Sequence, residues 1–180
     1  MRRLWHLHPD RPLAGASVHD DVRGLLRQAV SPRLIALAVA AAVLVLDQLT
    51  KWWALSADLP TSLIGDFLVL RLVRNPGAAF NSLQGSGVLI GVLAIAIVLI
   101  LVRVSGSAEH RRESMVFGLI MGGAAGNLVD RIFRGDGFLD GAVIDWIDLW
   151  FIPTFNVADA SLTVGAVLAV AVAFLTNTET

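Results

Sequence analysis

Four long apolar runs dominate the chain, at about 34–55, 88–104, 115–133 and 155–175. Each is near the roughly 20 residues that a helix needs to cross about 30 Å of hydrocarbon. Runs such as Val88 to Val102 show no alternation of apolar and polar positions, so a membrane-spanning β-barrel is excluded. The pattern predicts an all-α membrane protein of four transmembrane helices. Between the first two runs, Phe67–Leu68–Val69–Leu70–Arg71–Leu72–Val73 is β-prone and leads into the turn signal Asn75–Pro76–Gly77, which predicts a small β-like platform outside the bilayer. The third connection, about 134–154, is rich in glycine and aromatic residues. It is expected to carry a short interfacial helix or a lid loop over the bundle mouth.

Composition agrees with this picture: 56% of the 180 residues are hydrophobic, and the mean hydropathy of +0.70 is too high for a soluble domain. With no cysteine, disulfides and thiolate chemistry are excluded. The net charge of -1 conceals an asymmetry along the chain. Six arginines (Arg2, Arg3, Arg11, Arg23, Arg27, Arg33) precede the first apolar run, and Arg103, Arg111 and Arg112 flank the link between the second and third. The positive-inside rule therefore places both termini in the cytoplasm and the first and third loops outside. Trp52, Trp53, Trp146 and Trp150 fall near the outer helix ends, where indole rings favour the headgroup level. Residues 1–32 read as a mostly disordered or surface-lying cytoplasmic tail, 33–176 as the transmembrane domain, and 177–180 as a short cytoplasmic tail. The basic tail lacks the aromatic interleaving of a nucleic-acid-binding surface, so no nucleic-acid partner is expected.

This topology puts the intramembrane polar residues in one outward-facing layer. Asp47, Gln48, Thr50 and Lys51 lie in the outer half of the first helix, Asn127, Asp130 and Arg131 in that of the third, and Asn156 and Asp159 at the outer end of the fourth, with Asn75 and Asp145 in the adjoining loops. Asp159 is expected roughly 6 Å below the start of its helix. An ionisable residue at that depth is a functional candidate, because burying it in lipid is costly. Asp47 and Lys51, spaced i, i+4, are expected to form a local ion pair. Asp130 beside Arg131 is expected to hold other groups in place, since a neighbouring arginine suits a carboxylate poorly for proton donation. Gly118, Gly122 and Gly126 form a smooth stripe for close helix packing, and the small faces suggest gaps through which a chain could enter sideways.

No metal-ligand set presents itself, because the four histidines lie on the cytoplasmic side, and no cofactor is expected. A serine–lysine arrangement of Ser56 or Ser82 with Lys51 stays open. The more economical chemistry is a pair of carboxylates, one ionised to activate water and one protonated to donate. A transporter or proton channel also needs buried carboxylates but should show polar groups through the full membrane depth. A structural assembly protein would leave the polar layer unexplained.

The motifs Asp47–Gln48–Leu49–Thr50–Lys51, Arg74–Asn75–Pro76–Gly77–Ala78–Ala79–Phe80, Gly122 to Arg131, Val143–Ile144–Asp145–Trp146 and Phe155–Asn156–Val157–Ala158–Asp159 occur in this order. In them the chain resembles the bacterial lipoprotein signal peptidases (signal peptidase II), over about residues 35–175. The resemblance implies a metal-independent intramembrane aspartyl endopeptidase of the bacterial inner membrane. Its substrates would be prolipoproteins, cut on the amino side of a diacylglyceryl-modified cysteine, and its other partner membrane lipid; a monomer is expected. Motif matching places the catalytic pair on Asp145 and Asp159. It places supporting or substrate-binding positions on Asp47, Lys51, Asn75, Gly77, Asn127, Asp130, Arg131, Asn156 and Ala158. Asp148 is the alternative for the first catalytic position, although the valine and the hydrophobic pattern before Asp145 favour Asp145. Two departures stand out: Trp146 replaces the usual phenylalanine, which should preserve an aromatic lid, and Gly135–Gly141 is longer than common members require.

Overall fold

The structure, a computed structural model, describes residues 31–77 and 86–177. The tail of residues 1–30, Ala78–Phe80, Ser82 and the last three residues lie outside the described residues. Four helices, α1 (Pro32–Ser56), α2 (Ser86–Val104), α3 (Arg111–Phe133) and α4 (Val157–Asn177), carry the four apolar runs. All four are long and apolar enough to cross a membrane. Proline at the first position of α1 fits a helix start, where its missing N–H has no intrahelical partner to lose. A single 3₁₀ turn (Ser105–Ser107) links α2 to α3.

The role of α3 differs from that of its neighbours. Half of its most apolar window is buried inside the protein, against 17% or less for the other three helices. Those three turn Leu, Val, Ile and Phe outward, as lipid-facing helices do. Glycine makes the central position possible. A methyl group added at Gly118 or Gly122 would lie 2.6 Å from the Cβ of Val39 or Val43 on α1, and one at Gly123 would meet the Ala158 carbonyl oxygen of α4 at 2.5 Å. The stripe therefore mates with α1 and leaves no gap between helices. A sideways route at Gly122 or Gly126 is closed, because Val43 fills the first and Asp47 and Ala158 the second.

One end of the bundle carries an antiparallel sheet in the order β1-β2-β3-β4, built from Thr61–Ile64, Leu68–Asn75, Val143–Leu149 and Ile152–Phe155. The first loop supplies β1 and β2 as the platform expected there. The third loop, where a short helix or lid loop was the expectation, contains no helix: it is irregular to residue 142 and then adds β3 and β4. The physical reason is pairing. The β-branched run Val143–Ile144 meets the open edge of β2, with Val73 opposite Asp145 and Asn75 opposite Val143. Helix α4 starts at Val157 rather than 155, because Phe155 completes β4 and Asn156 caps the helix.

Candidate functional site

The polar layer assembles where the sheet meets the bundle. At the start of α4 a reciprocal cap forms: the Asp159 N–H donates to Asn156 Oδ1 (2.9 Å), and the Asn156 N–H donates to Asp159 Oδ2 (3.2 Å). Such a box satisfies two groups that a helix start leaves free. A third, the Ala158 N–H, donates to Asp47 Oδ1 of α1 at 2.9 Å. Asp159 is thus held in the first turn, nearer the helix start than the spacing suggested.

Asp145 comes from β3 and is 1% exposed. It accepts from Asn75 Nδ2 (3.1 Å) through Oδ2 and from Asn156 Nδ2 (2.7 Å) through Oδ1. Asp159 Oδ1 accepts from Asn127 Nδ2 at 2.7 Å. Asn156 is therefore the residue common to both carboxylates. Burial is the main cause pushing the Asp145 carboxyl up to about 6, and the neighbouring Asp159 charge adds to it; the Asn75 and Asn156 hydrogen bonds and Lys51 pull the other way.

Behind this pair lies a buried ionic layer. Lys51, fully buried, donates to Asp47 Oδ2 (2.8 Å), Asp130 Oδ2 (2.8 Å) and Asn127 Oδ1 (3.0 Å), so its three protons meet three acceptors. The expected Asp47–Lys51 pair is present but belongs to a larger network. Asp130 also accepts from Arg134 Nε (2.7 Å) and from the Ile144 N–H (3.1 Å), which ties α3 to β3. Adjacent in sequence, Asp130 and Arg131 diverge in space. Asp130 turns to Lys51, while the Arg131 guanidinium reaches Gly141 O at 3.5 Å and lines a cavity. Gln48, expected in the polar layer but not among the supporting positions, and Arg134, expected only as a loop residue, are part of this ionic layer: Gln48 Nε2 lies 3.1 Å from both Asp47 Oδ2 and the Gly126 carbonyl. For Gln48 the signal was its place in the Asp47–Lys51 motif. For Arg134 it was the i, i+4 spacing from Asp130.

The cavity, about 240 Å³, is lined by Asn75, Gly77, Ile90, Asn127, Arg131, Val143, Asp159 and Leu162. Gly77 has φ +94, and its N–H is bonded to Asn75 Oδ1 (2.9 Å), a turn that aims Asn75 inward. A second, largely apolar groove of about 380 Å³ runs along Ile152, Pro153, Phe155, Ala160 and Val164 and also reaches Asp159. Asp148 is not brought to either. Its offset of three residues from Asp145 puts it on the other face of the strand, where it pairs with Arg71 at 3.1 Å. Trp146 does not line the cavity either, contrary to a lid: its ring packs edge-on against Trp53 at 5.4 Å and fastens the sheet to α1. Ser56 donates to the Trp53 carbonyl, away from Lys51.

The family described as signal peptidase (SPase) II matches residues 39–175. The lipoprotein signal peptidase of Rhodococcus jostii (strain RHA1) is 42% identical over 141 residues, covering 77% of this chain and 71% of that protein. That of Mycobacterium leprae (strain Br4923) is 38% identical over 166 residues, 90% of this chain and 83% of that one. A solved bacterial membrane enzyme is similar in fold, with a TM-score of 0.66 at 30% identity, over 79% of this chain and 88% of that one.

Proposed function

Because the chain belongs to the signal peptidase II family, and so is a multi-pass membrane peptidase, we propose that it removes signal peptides from prolipoproteins, with Asp145 and Asp159 as an aspartyl pair. The bond cut is the one on the amino side of a diacylglyceryl-modified cysteine. The observation that carries this reading is the shared Asn156, whose side-chain amide holds Asp145 while its backbone N–H holds Asp159.

Two carboxylates held this way share their protons as a unit. One carboxylate takes a proton from water, whose oxygen adds to the scissile carbonyl carbon. The protonated partner donates to the carbonyl oxygen. When the intermediate collapses, the C–N bond breaks, the leaving cysteine amine takes up the proton abstracted from water, and a hydroxyl of the intermediate returns its proton to the partner carboxylate as the new carboxyl group forms. Arg131 supplies a fixed positive charge at the cavity wall, and Asn75, Gly77, Asn127 and Asn156 orient the pair. Asp47, Lys51, Asp130 and the Ala158 backbone support them from behind. The apolar groove that ends at Asp159 suits a lipid-linked chain approaching from the bilayer, in place of the closed glycine stripe. Residues 33–176 form the peptidase domain in this reading. It places both termini in the cytoplasm and the sheet at the outer face of the inner membrane, and requires no cofactor or second subunit.

The test is cleavage of a purified diacylglyceryl prolipoprotein, read by gel mobility with chelator present. Wild type and Asp148→Asn are expected to cleave, while Asp145→Asn and Asp159→Asn fold normally and lose about 100-fold or more. Full turnover by either of the last two would sink the assignment.

A further inference from the structure

Arg131 is buried at 4% exposure, yet its Nε has no hydrogen-bond partner among the described residues and its bond to Gly141 O is long, at 3.5 Å. Hydrogen bonds alone therefore do little to hold this guanidinium at the cavity wall. Its steric surroundings do more. A Cβ added at Gly87 would lie 3.0 Å from Arg131 Nη1, and one at Gly77 would lie 3.3 Å from Nη2, so the guanidinium lies against two bare stretches of backbone.

One helical turn beyond Gly87, Gly91 forms the next step of the same notch on α2. Leu139 fills it: a Cβ at Gly91 would meet the Leu139 Cβ at 3.0 Å and its Cδ1 at 3.1 Å. Leu139 is 2% exposed and has φ 57, a left-handed backbone that leucine rarely adopts. Its loop is tied to the same arginine, since the Gly141 N–H donates to the Arg131 carbonyl at 3.1 Å and Gly141 O accepts from its guanidinium. A buried side chain on strained backbone, seated in a glycine notch and two residues from the one hydrogen-bond partner that the guanidinium has among the described residues, has a mechanical consequence. We propose that Leu139 is a positioning residue: wedged against Gly91, it clamps the 134–142 loop to α2 and thereby sets where the Arg131 guanidinium stands in the cavity. The catalytic consequence rests on the peptidase reading above; the wedge itself does not.

Two measurements on the full chain in lipid nanodiscs test it. The first is steady-state cleavage of a diacylglyceryl prolipoprotein, with kcat and KM separated. Leu139→Ala and Gly91→Ala are each expected to lower kcat about 10-fold to 100-fold, the scale of a small misplacement at a reacting centre, with KM changed little. Leu139→Met should stay close to wild type. In an Arg131→Ala background, Leu139→Ala should cost almost nothing further, which a loss of general stability would not produce. The second needs no activity: since the chain has no cysteine, Arg131→Cys carries the only thiol, and adding Leu139→Ala should speed its reaction with a maleimide about tenfold. Unchanged kcat in both Leu139→Ala and Gly91→Ala, full multiplication of the Leu139→Ala and Arg131→Ala losses, or unchanged thiol reactivity would overturn the wedge. If Leu139→Ala does not fold, Gly91→Ala and Leu139→Met decide the kinetic test and Gly91→Ala replaces it in the thiol test. If wild type does not cleave, the peptidase reading falls while thiol reactivity still decides the wedge.

Discussion

At the scale of single residues, the balance of charge and burial around Asp145 makes a signed prediction. Its carboxyl, pushed up to about 6 by burial first, is held down by the hydrogen bond from Asn75. Asn75→Ala removes a donor that favours the ionised form, so the limb of the pH profile of kcat/KM that inflects near 6 should move to higher pH; a downward shift or none would contradict the hydrogen bond's role. The same raised pKa acts on stability. The unfolded carboxyl titrates near 3.8, so the contribution of Asp145 is fully present below that value and lost as pH rises through about 6. Lys51 makes a different kind of prediction. It neutralises Asp47 and Asp130, both fully buried. Lys51→Met leaves buried Asp47 without a counter-charge and Asp130 with Arg134 alone, and breaking such a buried pair typically costs about 3–5 kcal/mol. A large fall in the thermal unfolding midpoint of the detergent-solubilised chain is expected, whereas Arg71→Ala, which breaks only the pair with Asp148 on the exposed sheet, should change it little.

At the scale of elements, α3 works as the axis of the molecule because one face of it has almost no side chains. Val39 and Val43 of α1 occupy the spaces at Gly118 and Gly122, and this contact runs straight into the Asp47–Lys51–Asp130 layer. Gly122→Ala adds a methyl group 2.6 Å from the Val43 Cβ and 2.8 Å from the Ala40 carbonyl oxygen. Overpacking of this kind costs about 1–3 kcal/mol. The expected result is a lower unfolding midpoint together with reduced cleavage, since α1 carries Asp47 to the Ala158 N–H. A midpoint equal to wild type would mean that α1 and α3 are not held this closely.

For the whole molecule, the sheet and all the residues proposed for the site lie at one end of the bundle, and Arg33, Arg103, Arg111 and Arg112 at the other. The proposed orientation can be tested directly because the chain has no cysteine of its own. Ser62→Cys, exposed on β1, should react with a membrane-impermeant maleimide in intact cells. Ser107→Cys, exposed in the link before α3, should react only after the cells are permeabilised. The reverse pattern would invert the topology.

Hydrophobic run length alone specified the four spans, since only helices of that length satisfy their own backbone in lipid, and the β-prone run 67–73 marked the strand β2. Polar residues were visible at the right helix ends because each is costly in hydrocarbon and stands out against Ala, Val and Leu. Tertiary structure decided the rest. Whether 143–149 becomes strand or helix depends on the open edge of β2, some 70 residues earlier in the chain. Whether the glycine stripe is a gap or a joint depends on Val39 and Val43 from another helix. Asp130 and Arg131, neighbours in sequence, take opposite directions because successive helical positions point about 100° apart. The work of Gly87, Gly91 and Leu139 left no sequence signal at all, because a notch and its wedge acquire meaning only when two distant segments meet.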